Sequence, residues 1–208
     1  MRRRTRLVLV ALVVAGTLLA ASCGGPAGPN PASGAIRQSD VPAGWGRCAS
    51  SGSISRYLPL AQKVDAGSAD SIQRSWTAQQ KIGATGSQMT SYVADRADCS
   101  KGIGRSAGAS ALTWTIAYGS MDDAQRGYQA GVLGFPTPDQ SRIQPGLQVG
   151  TSTGLGVDSW TLTQSSPEPE LFIAWWRHRS LINFLVITGL ANADANPIAL
   201  RVDAHMPR

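Results

Sequence analysis

The chain has 208 residues, of which 42% are hydrophobic and only 15% charged, with 19 basic and 13 acidic side chains and a pI near 9.7. Much of that basicity sits at the start, where Arg2, Arg3, Arg4 and Arg6 precede the apolar run Leu7–Ala21. Removing residues 1–22 takes four arginines and no acid, so 15 basic and 13 acidic side chains remain, a net charge of +2. Charge therefore gives no support to a nucleic-acid partner.

The basic start, the apolar run and the small residues Ala20, Ala21 and Ser22 have the layout of a secretory signal peptide. The run falls short of the roughly 20 residues that span a bilayer comfortably, and a short spanning anchor is the competing reading. Ala20-Ala21-Ser22-Cys23 resembles the lipobox of bacterial lipoproteins. That resemblance implies cleavage before Cys23, lipid (palmitate among its acyl chains) on its thiol, and export to the outer face of the cell membrane.

With Cys23 committed to lipid, Cys48 and Cys99 remain. In an oxidising compartment an even pair reads as a disulfide. The alternative, a two-cysteine metal site, has only His178 and His205 to draw on. No cofactor is expected.

Residues 23–38 (Gly24, Gly25, Pro26, Gly28, Pro29 and Pro31 among them) read as a lipidated cysteine and flexible tether. As a random coil it would reach about 20 Å. The folded domain is expected over residues 39–208, starting near Ser39-Asp40-Val41-Pro42, with Trp45 buried in a loop pinned by the disulfide. A first helix is expected over Ser68–Ile82, ended by Gly83 and Gly86, and a short strand over Met89–Asp95. Leu112, Trp114, Ile116 and Tyr118 alternate with Thr113, Thr115 and Ala117, the clearest strand pattern in the chain. A second helix follows at Met121–Leu133, capped by Ser120, with Asp122 and Asp123 in its first turn.

The segment from Gly134 to Gly156 is rich in Gly, Pro, Ser, Thr and Gln, and so long a connection is commonly functional or mobile. Three closely spaced strands, Ser159–Gln164, Leu171–His178 and Leu181–Thr188, predict an antiparallel meander. A last helix over Asp194–His205 carries Pro197 in its first turn. The fold class is α+β: one domain with an antiparallel sheet of about five strands covered by helices. Adjacent Trp175 and Trp176 must face opposite sides of the sheet. Either both faces are covered or one tryptophan is exposed for a partner.

Chemical signals are sparse. Arg177, His178 and Arg179 stand at a strand end, where two arginines could fork onto a carboxylate or phosphate; a solvated basic turn is the plainer account. His205 near the C-terminus has an electrostatic role toward the helix end as its ordinary explanation. Gly154-Leu155-Gly156-Val157-Asp158 enters a strand, whereas phosphate-binding glycine loops enter a helix. No Gly-x-Ser-x-Gly, His-Glu-x-x-His or related motif is present.

Asp40-Val41-Pro42-Ala43-Gly44-Trp45, the element from Leu112 to Leu133, Gly154–Asp158 before a Trp-bearing strand, and Trp176-Arg177 before a final apolar strand together resemble uncharacterised bacterial sensor-domain lipoproteins. More distantly they resemble the extracellular sensor domain of mycobacterial receptor serine/threonine kinases. The resemblance covers about residues 39–206 and implies a sheet-and-helix domain with a cleft, with no catalytic residue carried over.

The expectation is a lipid-anchored, non-catalytic envelope protein whose partners are the membrane, through Cys23, and a small anionic ligand or another envelope protein. The alternative is an envelope hydrolase, in which His178 or His205 would meet a carboxylate or hydroxyl within a cleft.

Overall fold

The computed structural model describes residues 28–101, 108–138, 144–164 and 170–208; Cys23 and the signal-like segment lie outside them. Its centre is an antiparallel sheet of eight strands: β1 (Gly46–Arg47), β2 (Gly52–Ser53), β3 (Ala84–Val93), β4 (Ser110–Tyr118), β5 (Leu147–Val149), β6 (Ser159–Gln164), β7 (Leu171–His178) and β8 (Leu181–Thr188). The spatial order is β1-β3-β4-β8-β7-β6-β5, with β2 also paired to β3. The five longest strands correspond to the five expected, except that β3 runs from Ala84 to Val93 rather than from Met89 to Asp95, and Gly86, expected to end the preceding helix, lies inside that strand. The sheet is larger because β1, β2 and β5 have only two or three residues, too few to display an alternating pattern.

Four helices complete the domain: α1 (Ile54–Val64), α2 (Ala66–Ile82), α3 (Met121–Ala130) and α4 (Asn192–Asp203). Helix α1 has no counterpart in the sequence-based expectation, although Ile54, Tyr57, Leu58 and Ala61 follow the i, i+3, i+4, i+7 spacing of a helix face. Pro59 inside it masks the signal, since proline removes one intrahelical donor. Asp65 separates α1 from α2 and caps the latter: its carboxylate accepts from the Ser68 backbone N–H at 3.2 Å and from the Ser68 hydroxyl at 2.8 Å. Ser68 is thus the capped residue rather than the cap. Helix α3 ends three residues earlier than expected, at Gly131, whose φ of +73° and close approach to Phe135 exclude a side chain.

The sheet is covered on both faces. On one side α1, α2 and α3 pack through Tyr57, Ile72, Trp76 and Tyr128 onto Trp114, Trp175 and Phe184. On the other, α4 packs through Ile198, Ala199 and Val202 onto Trp176, Leu185 and Ile187. Trp175 and Trp176 are both fully buried, each in a different layer. All six tryptophans are buried, so none is an exposed stacking platform.

Order begins upstream of Ser39. Pro31–Gly34 forms a 3-10 turn, and Gly34 and Ile36 are buried against the α4-side face of the sheet. The backbone N–H of Ile36 donates to Thr113 Oγ1 at 3.1 Å, and Asn183 donates from Nδ2 to the Gly34 carbonyl at 2.7 Å. The distal part of the expected tether is therefore part of the domain. Glycine and proline there do not signal a coil: Gly34 is the residue that fits against Thr115, where a Cβ would come within 2.9 Å of the threonine methyl.

Candidate functional site

A cavity of about 420 Å³ opens between the α1–α2 pair and one end of the sheet, within the ~300–1,000 Å³ range of small-molecule sites. Its origin can be read from the register. Across β3, β4 and β8 the row Met89–Trp114–Phe184 is bulky and fills the space beneath the helices. The next row on the same face is Ser91–Leu112–Val186, and the one after it is Val93–Ser110–Thr188. Side-chain volume falls along the strands while the helices continue overhead, and the difference is left as space. Both rows line the cavity floor.

The roof comes from Tyr57, Leu60, Ala61 and Val64 of α1 and Ile72 of α2. Leu60 and Val64 are 36% and 43% exposed, so the mouth has an apolar lip. A disulfide closes one wall. Cys48 and Cys99 are bonded, with Cα atoms 5.4 Å apart, and hold the loop after β1 against the 3-10 turn Arg96–Ser100. This is the pairing expected from the sequence.

The charged groups of the lining differ in how they are occupied. Asp98 is almost wholly buried, accepts from the Gly108 N–H at 3.1 Å and pairs with Lys101 at 2.6 Å, which holds the Lys101 ammonium above its usual range. Asp65 is taken by its helix cap. Burial, reinforced by the Asp65 carboxylate, pushes the Tyr57 phenol up from 10.0 to about 12, so it is neutral at any physiological pH. Lys63 and Arg96 also line the cavity, are exposed, and form no ion pair with another described residue.

The residues singled out from the sequence lie elsewhere. Arg177, His178 and Arg179 stand at the β7–β8 turn, at the opposite end of β8 from the cavity. They are not one cluster. Alternation sends Arg177 to the side of Trp175 and His178 to the side of Trp176. Arg177 pairs with Asp158 and donates from Nη1 to the Arg179 carbonyl at 2.9 Å, while its Nε, though buried, has no partner among the described residues. Arg179 is exposed with φ +49°. The segment after Gly134 is only partly a loop, because β5 within it adds an edge strand to β6.

Each histidine meets a carboxylate. His178 Nε2 lies 2.6 Å from Asp203 Oδ1, and His205 Nε2 lies 2.8 Å from Asp40 Oδ1. Asp40 also accepts from the Arg37 N–H at 2.7 Å, and its carbonyl accepts from Arg201 Nε and Nη2 at 3.1 and 2.6 Å. These contacts fasten the end of α4 to β7 and to the N-terminal turn. They sit on the α4 side of the sheet, and neither histidine lines the cavity. Among the described residues, no group of three His, Cys, Asp or Glu stands together as a metal site, and no helix is long and apolar enough to cross a membrane.

No protein-family model matches the chain, and no curated protein matches it. Among solved structures, the crystal structure of the extracellular domain of PknH from Mycobacterium tuberculosis is similar, with a TM-score of 0.34 and 11% sequence identity. The match covers 59% of this chain and 64% of that one, just under two thirds of its length. At that level the likeness assigns neither a family nor a function.

Proposed function

We propose that this is an exported protein, acylated at Cys23 and held on the outer face of the cell membrane, whose domain binds a ligand without transforming it. The observation that carries this reading is the cavity under α1 and α2, a concave, mainly apolar site with a few polar groups at its edge. The Cys48–Cys99 bond in its wall fits an oxidising compartment. The hydrolase alternative would need a nucleophile beside His178 or His205. The partners those rings have are Asp203 and Asp40, on the other side of the sheet from the cavity.

The test is native mass spectrometry of the protein extracted from its own membranes, with Nile red binding as a second readout. The expected results are an acyl-bearing Cys23, a non-covalent small-molecule adduct, and loss of adduct and dye binding in Leu112→Trp, which fills the floor. A protein that carries no adduct and takes up no dye, or whose Leu112→Trp variant binds as well as the parent, overturns the binding reading. An intact Met1, or a cleaved chain without acyl groups, overturns the anchoring.

A further inference from the structure

We infer that the ligand of this cavity is a single-chain amphiphile with an anionic head: an acyl chain laid along the floor, with its carboxylate or phosphate at Lys63 and Arg96. The inference rests on the cavity being the binding site. Its first support is shape and lining. The floor is two successive cross-strand rows, so the lining extends across β3, β4 and β8 rather than being confined to one side chain's depth. At about 30 Å³ per water-sized group, about 420 Å³ holds roughly a dozen methylene-sized groups. Leu60, Val64, Ile72, Leu112 and Val186 offer such a chain an apolar sleeve.

The second support is the division of charge at the edge. The two carboxylates in the lining are already engaged, Asp98 by Lys101 and the Gly108 N–H, and Asp65 by the cap of α2. The two exposed cations in the lining, Lys63 on α1 and Arg96 after β3, have no ion-pair partner among the described residues. An incoming anion therefore gains two cations without competing for them. An incoming ammonium finds carboxylates that already have donors. Arg96 is also steadied, since its stem packs against Gly46, where a Cβ would lie 2.7 Å from its Cγ. A guanidinium held in that way can present a fork to a carboxylate or phosphate at reduced entropic cost.

Photo-crosslinking on the acylated full chain in its own membranes tests this. The probes are a diazirine-bearing dodecanoate and the matching alcohol and amine, and the labelled peptides are mapped. The expected result is dodecanoate label on the α1 and β4 peptides. Unlabelled dodecanoate should compete at a concentration about tenfold lower than dodecan-1-ol or dodecylammonium, and shorter carboxylates should weaken by up to about fourfold per methylene removed. Lys63→Glu with Arg96→Glu should erase the preference for the anion while the alcohol probe still labels. Equal competition by the three head groups, or a preference untouched by the charge reversals, overturns the anionic assignment and leaves the cavity as the site. If no probe labels these peptides, or if labelling survives both Leu112→Trp and Val186→Phe, the binding reading itself fails. Two fillers are used so that misfolding of one, seen in its melting curve, does not decide the matter. Lysophosphatidylglycerol as a further competitor separates the sources of the head: stronger competition than dodecanoate assigns a phospholipid, weaker a free fatty acid.

Discussion

Asn183, in the middle of β8, is joined to Gly34, 149 positions earlier, by a 2.7 Å hydrogen bond from its side-chain amide to the glycine carbonyl. Its Oδ1 accepts from the Thr115 hydroxyl at 2.8 Å, and all three groups are buried. The bond closes the N-terminal segment over a strip of polar residues, Thr113, Thr115 and Asn183, and supplies the Asn183 amide with the acceptor that its covered position requires. With the Ile36 N–H on Thr113 Oγ1, it holds the segment after the Pro31–Gly34 turn against the sheet.

Asn183→Leu is accordingly expected to cost about 2 kcal/mol, because it strands a buried carbonyl and a buried hydroxyl without partners. Urea unfolding measures it. Retention of parental stability would show that water reaches the strip and that the clamp contributes nothing.

The disulfide closes a segment of 51 residues in sequence separation, for which the chain-entropy account gives about 4 kcal/mol. Cys48→Ser with Cys99→Ser is expected to lower stability by an amount of that order and to weaken ligand binding, since both half-cystines line the cavity. Non-reducing peptide mapping checks the bond itself. Free thiols at both positions in protein from its own compartment would contradict it.

Asp40 is buried and shared between His205, the Arg37 N–H and the turn that carries Val41 and Trp45 into the core. Asp40→Ala is expected to cost about 3 kcal/mol, as for other buried pairs broken from one side. In a double-mutant cycle with His205→Ala the two losses should overlap by about 1 kcal/mol or more. Strict additivity would mean that the histidine and the carboxylate do not interact in solution.

How much of this was legible in the sequence depends on what each residue's neighbours supply. β4 shows as a period-2 run and β6, β7 and β8 as closely spaced β-rich segments, whereas the first half of β3, with Gly86, Ser87 and Gln88, shows no such pattern. Thr113 and Thr115 are buried although polar, and the alternation does not announce it, since their partners Ile36 and Asn183 lie far away in sequence. Arg177 looked available for the same reason: its acceptor, Asp158, is 19 positions away, and no local spacing announces it. No local pattern marks the cavity. It arises where inward-facing positions turn small at Ser91, Ser110 and Thr188, and only the register shows that these three fall in adjacent rows. One helix-spaced signal was present, the Leu60–Val64 pair on α1, left over after Ile54 and Tyr57 had filled the core.

Tyr57 supplies a prediction in pH. Its phenol titrates at 10.0 when free and at about 12 in the folded protein, raised first by burial and then by Asp65. Below pH 10 both states hold the proton, and the stability is fully present. Above pH 10 the unfolded chain releases a proton that the folded chain keeps, so stability falls by about 1.4 kcal/mol per pH unit until the folded form also ionises near pH 12. Tyr118 and Tyr128 are shifted in the same direction by burial and by Asp123 and Asp158 respectively, and they steepen the decline. Urea unfolding across this window should therefore show a base-side loss that Tyr57→Phe reduces without abolishing. Because Tyr57 forms part of the cavity roof, a bound amphiphile that excludes water there should move its titration further upward, read by ultraviolet absorbance. An identical titration with and without the amphiphile would place that ligand away from Tyr57. A Tyr57→Phe profile parallel to the parent's would show that this phenol does not govern the alkaline limit.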